Sequence, residues 1–168
     1  MVNFLEQPDV FAISAVQAGS LVSLYWLGAM IGRFIGSGLL YKLRAGPLLV
    51  VAALMAALMC LTVSQTTGQL AGILAISVGL FNSIMFPVIF SLTIERSTAP
   101  ASATSGLLCM AIVGGALVPL VFAQVADASG SRFLAFLVPM ACYLIIALFG
   151  WRAARVPARG EVFANSPH

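Results

Sequence analysis

Acid is scarce in this chain, and none of it lies deep in an apolar stretch. Only five of the 168 residues are Asp or Glu: Glu6 and Asp9 precede the first apolar run, Glu95 ends the third, Asp127 follows the fourth, and Glu161 lies in the tail. A proton-driven carrier usually needs a membrane carboxylate or histidine to take up and release the proton. Histidine occurs once, at His168, so this chain by itself lacks that machinery. Cys60, Cys109 and Cys142 all fall inside apolar runs and form no CxxC, which reads as packing rather than as disulfide or ligand chemistry. Without a His/Cys cluster no metal centre is expected, and no cofactor. Intramembrane catalysis wants paired acids, a Ser/His or Ser/Lys pair, or metal ligands at depth. The chain has none of these, so it is not expected to be an enzyme.

What is present is hydrocarbon. The chain is 61% hydrophobic and 8% charged, with a mean hydropathy of +1.09, well above what a soluble domain of this size needs for its core. Apolar runs at about residues 20–41, 47–63, 70–94, 103–126 and 133–151 approach or exceed the ~20 residues a helix needs to cross a bilayer. Continuous apolarity argues against barrel strands, which alternate polar and apolar positions. The fold class expected is an all-α integral membrane bundle of about five transmembrane helices. It divides into a non-cytoplasmic leading segment at 1–18, the end of a preceding helix, then the bundle at 19–152 and a disordered tail at 153–168. MVNFLEQPDVF carries no basic residue and does not read as a secretory signal.

The basic residues set the orientation. Lys42, Arg44, Arg96, Arg152, Arg155 and Arg159 fall on one side, against Arg132 on the other. The positive-inside rule therefore places the C-terminus in the cytoplasm of a cell (inner) membrane. The net charge of +3 reflects that bias; spread over separate loops, it does not point to nucleic acid.

Two kinds of residue stand out inside the runs. In GAMIGRFIG, Gly28, Gly32 and Gly36 recur every fourth position, a spacing that lets a neighbouring backbone approach closely. Gly114 and Gly115, with Gly106 before them, suggest the same packing device in the fourth run. Arg33 lies about eight residues from the end of its helix, roughly 12 Å deep at 1.5 Å per residue. A cation there costs about 2.5–3.5 kcal/mol on insertion scales. It therefore either strains to snorkel or faces a wet interior, with Trp26, Ala29, Met30 and Ser37 on its side of the helix. In the third run Asn82 is central and Pro87 withdraws the partner of the Ser83 carbonyl, while in the fourth Pro119 does the same to Gly115. Kinks are expected at Pro87 and Pro119, and a further proline, Pro139, lies in the fifth run. Asn82 reads equally as a ligand contact or as a bond to a neighbouring helix.

The stretches LVSLYWLGAMIGRFIGS, GLFNSIMFPVIFSLTIE, SGLLCMAIVGGALVPLVF and FLVPMACYLIIALFG resemble the C-terminal half of sugar/proton symporters. These form the fucose/galactose/glucose permease branch of the major facilitator superfamily. The resemblance covers about residues 1–152 in order; the loop ERSTAPASATSG departs from it. It implies a twelve-helix carrier of two halves with a monosaccharide bound between them at mid-membrane. Here the N-terminal six-helix half, which holds the family's proton-coupling carboxylates, would be missing. The partners implied are a monosaccharide, a coupling proton, the bilayer and that missing half. Tyr25, Arg33 and Asn82 fall on helices whose polar residues face the central cavity, which makes them candidate sugar or coupling contacts. The alternative is a helical membrane module that associates through its glycine faces without transporting.

Overall fold

The computed structural model describes residues 14–157, and among these every regular element is a helix. α1 spans Ala15–Lys42, α2 Ala45–Gln65, α3 Gln69–Arg96, α4 Ala101–Ala111, α5 Val113–Ser129 and α6 Arg132–Arg155. The leading segment up to residue 13 and the tail from residue 158 lie outside the described residues. Two expected boundaries shift. α1 starts at Ala15, where Ser14 and Gln17 form a capping box, and α6 continues to Arg155 rather than ending at 152.

Connections of two to four residues force successive helices to turn back on one another. The α2/α3 and α5/α6 turns use Gly68 and Gly130 at φ of 75° and 60°, a conformation that glycine adopts without steric cost. α1 and α3 therefore run parallel, and their contacts climb together: Tyr25 beside Gly79, Gly32 beside Leu80, Gly36 beside Ile84.

α2 is the most buried element. Leu49, Ala53, Ala56 and Val63 have no exposed surface, and Ala52, Ala57 and Cys60 are nearly as covered. Lipid tails are as apolar as leucine, so membrane helices associate by close van der Waals fit between small side chains. The alanine stripe of α2 supplies that fit to α3, through Met85, Val88 and Leu92, and to α6, through Ala147 and Ala153. At the end of the bundle Gly46 of α2 abuts Ala154 of α6, where an added Cβ would lie 2.8 Å from the Ala154 Cβ.

By length and composition, four segments can cross a membrane among the described residues: α2, α3, the Ala101–Ser129 run of α4 and α5, and Phe133–Arg155. α1 has 28 residues and is long enough as well, so the five expected helices are present in length.

The fourth run is where sequence and structure diverge. It is interrupted at Ile112, between α4 and α5. There Ile112 N–H donates to the Cys109 carbonyl at 3.1 Å and Gly115 N–H to the Ile112 carbonyl at 2.8 Å, the tighter three-residue spacing of a 3₁₀ turn. α3 and α5 continue through Pro87 and Pro119, as α6 does through Pro139. The break in the run thus falls well before Pro119. Gly114 and Gly115 follow it, but an added Cβ at either would meet nothing within 4 Å. No residue of α5 is buried, so the close-approach expectation for these glycines finds no neighbour among the described residues.

Candidate functional site

α1 lies against α3 through a set of small residues that decide which side chains reach the space between them. Gly32 meets the Leu80 carbonyl and Gly36 meets the Ile84 side chain at distances that leave no room for a Cβ. Gly28, one turn earlier on the same spacing, meets nothing within 4 Å, so the stripe is a contact over two of its three positions. Further along the same face Tyr25 takes up the room left by Gly79, where an added Cβ would lie 2.7 Å from the ring Cδ2. Tyr25 is thereby held between the helices with its hydroxyl directed at Asn82, whose Nδ2 donates to it at 3.3 Å.

That bond leaves donor and acceptor capacity to spare. Asn82 keeps its Oδ1 and a second N–H, and the tyrosine hydroxyl keeps its own proton to donate. Asn82 is exposed. Trp26 packs edge-on against Tyr25, with ring centroids 5.6 Å apart and planes at 88°, and presents its outer surface with 65% exposure. A neutral amide, a phenol and an open indole face form a surface suited to hydroxyl groups and to stacking against a ring. They supply no nucleophile and no acid/base pair.

On its other side Tyr25 helps wall a cavity of about 200 Å³ lined also by Cys60, Phe122, Phe136, Pro139 and Tyr143. Phe122 and Phe136 meet edge to face at 5.2 Å. The cavity thus draws aromatic groups from α1, α5 and α6 into the centre of the bundle. Neither Tyr143 nor the phenylalanine pair stands out in the sequence. The available signal is Pro139, which sits one turn before Tyr143 on α6.

Arg33 is not brought to this cluster. It lies eight positions beyond Tyr25 on α1, about 12 Å along the axis, and is exposed, as are Trp26, Met30 and Ser37; only Ala29 of that side is buried. Gly32 beside it faces α3, and at 100° per residue Arg33 points away from that contact. No hydrogen bond or ion pair to it occurs among the described residues.

A second polar cluster closes one end of the bundle. Arg96, in the last turn of α3, donates from Nε to the carbonyls of Ala153 at 2.7 Å and Val156 at 3.1 Å, and from Nη1 to the Glu95 carboxylate at 3.2 Å. The last carbonyls of a helix have no partner within it, so Arg96 caps α6 from another helix. Lys42, Arg44, Arg152 and Arg155 belong to the same end of the bundle, by the contact of Gly46 with Ala154.

No protein-family model matches the chain. It is 45% identical over 150 residues to a glucose/galactose transporter of Brucella abortus, covering 89% of this chain and 36% of that protein. It is 35% identical over 151 residues to the L-fucose-proton symporter of Escherichia coli, covering 88% and 34%. The crystal structure of the major facilitator superfamily transporter FucP in the outward conformation superposes with a TM-score of 0.84 at 28% identity, over 90% of this chain and 37% of the other. The chain thus spans about a third of the length of the relatives it matches.

Proposed function

Since the chain belongs to the fucose/galactose/glucose permease family of the major facilitator superfamily, we propose that it forms part of a carrier moving a monosaccharide of the fucose, glucose or galactose class across the cell membrane together with a proton. The observation that carries this reading is the Tyr25–Asn82 pair, held open to the surface between α1 and α3 at 3.3 Å beside the exposed ring of Trp26. The sugar's hydroxyls bond to the amide and phenol, and its apolar ring face stacks on the indole. The relatives' greater length supplies the remaining helices, and a complementary six-helix half packs on the surfaces this chain leaves bare. Leu107, Met110, Val113, Leu117 and Leu120 are all more than half exposed, an apolar face available to that half or to lipid. Arg33 anchors a polar network, or pairs with an acid of the complementary half, and the basic end of the bundle lies in the cytoplasm.

The test is to co-express the chain with the N-terminal half of the Brucella transporter and to follow uptake of labelled glucose, galactose and fucose. Uptake that requires this chain and is lost on Asn82→Ala supports the reading. Two halves that co-purify from the membrane but carry none of the three sugars would overturn it.

A further inference from the structure

The basic end of the bundle contains a cleft that shares no residue with the Tyr25–Asn82 pair. About 530 Å³ in volume, it opens between the last turns of α3 and α6. It is lined by the apolar Leu92, Ile145, Leu148 and Phe149 and by the cations Arg96 and Arg152. Ile145 and Leu148 are 67% and 48% exposed, so the wall is open sideways, in the direction of the surrounding hydrocarbon. Trp151 borders this end of α6, with the guanidinium of Arg155 3.7 Å over its ring, an amphipathic pairing typical of the membrane interface.

Arg96 and Arg152 both line the cleft, and among the described residues the one ion pair recorded there is Arg96 with Glu95 at 3.2 Å, which leaves Arg152 without a carboxylate partner among those residues. Arg96 is oriented in advance by the two carbonyls it caps, and its side chain is only 19% exposed. Arg152 and the partly engaged Arg96 thus share one cleft with Ile145 and Leu148, and Ile145 to Arg152 spans about 10 Å along the helix, the length of several methylenes. We propose that this cleft binds an anionic phospholipid, with the phosphate on Arg152 and Arg96 and the upper part of an acyl chain along Ile145 and Leu148. A soluble phosphate would gain nothing from that wall, and a zwitterionic lipid would gain less from the cations. Basic pockets between helices at the cytoplasmic face recognise acidic headgroups by this combination.

The experiment uses the full chain carrying Trp26→Phe, which leaves Trp151 as the sole tryptophan, reconstituted in phosphatidylcholine bilayers. Trp151 fluorescence is then quenched with phosphatidylglycerol or phosphatidylcholine brominated on the acyl chain. Half-maximal quenching is expected at a mole fraction about fivefold lower for the anionic lipid. Arg152→Gln should remove most of that preference, Arg152→Lys should keep it, and Arg44→Gln, which removes a charge from the same end but not from the cleft, should leave it unchanged. Identical curves for the two lipids would overturn the proposal. So would equal losses in Arg152→Gln and Arg44→Gln, which indicate diffuse attraction, or reversal of quenching by excess inorganic phosphate, which indicates a site for a free anion. Identical curves with Arg152 intact overturn the proposal even if a substituted chain fails to insert.

Discussion

The ring of Tyr25 occupies the volume that any side chain at position 79 would need. A Cβ there would lie 2.7 Å from Tyr25 Cδ2 and 2.9 Å from the Tyr25 carbonyl oxygen, so ring and backbone are both in the way. Gly79→Ala is therefore expected to push α1 off α3, at a cost of about 1–3 kcal/mol as for other overpacked sites, and to displace the hydroxyl from Asn82. Gly28→Ala, where an added Cβ meets nothing within 4 Å, should stay within about 0.5 kcal/mol. Thermal unfolding of both variants in detergent checks the contrast. Equal melting temperatures would show that the α1/α3 contact is looser than described.

Removing only the tyrosine hydroxyl separates recognition from packing. Tyr25→Phe keeps the ring against Gly79 and deletes the 3.3 Å bond to Asn82, a loss of about 0.5–1.5 kcal/mol in stability. Its larger effect is expected on the apparent affinity for sugar in the two-half uptake assay, with maximal rate less affected. An unchanged affinity would remove Tyr25 from the sugar site.

Arg33 is testable by access. Within the assembled carrier, Arg33→Cys should react with a membrane-impermeant maleimide, since the proposal places this position on a wet interior surface. Arg33→Ala should abolish uptake while leaving membrane insertion intact, and Arg33→Lys distinguishes the need for charge from the need for a planar fork. A cysteine that is never labelled, or full uptake by the alanine variant, would place the side chain among lipid.

The cap that α3 places on α6 makes a local prediction. Arg96→Gln deletes the charge-assisted bonds to the Ala153 and Val156 carbonyls, interactions worth about 1.5–3 kcal/mol where the donor is charged. The expected result is faster hydrogen exchange in the last turn of α6, with little change in α2. Uniform exchange rates along α6 would mean that the cap contributes nothing.

The places where the sequence is readable follow from the range over which the forces act. Hydropathy is summed along one helix, so the spans are legible to within a few residues at most ends. Glycine spacing shows which positions share a face but not which face a neighbour takes, and for that reason Gly32 and Gly36 cannot be told from Gly28. The roles of Gly79 and Arg96 depend on partners far away in sequence, 54 positions back for the ring of Tyr25 and 57 positions on for the Ala153 carbonyl, and no local pattern announces them. Tyr25 and Asn82 are legible singly, as polar groups within apolar runs; their contact is not. A kink is expected at Pro119, where a donor is missing; the tighter turn at Ile112 lies seven residues earlier, where no proline or other local signal marks it.

That interruption divides one membrane crossing into two rods, Ala101–Ala111 and Val113–Ser129, joined through a single residue. Neither rod is anchored by a buried apolar side chain of its own; Thr104 alone is covered. Ile112 itself keeps right-handed helical angles, φ −59° and ψ −27°, so the crossing tightens there without losing its course, and whatever packs on its bare faces sets how far it bends at that point.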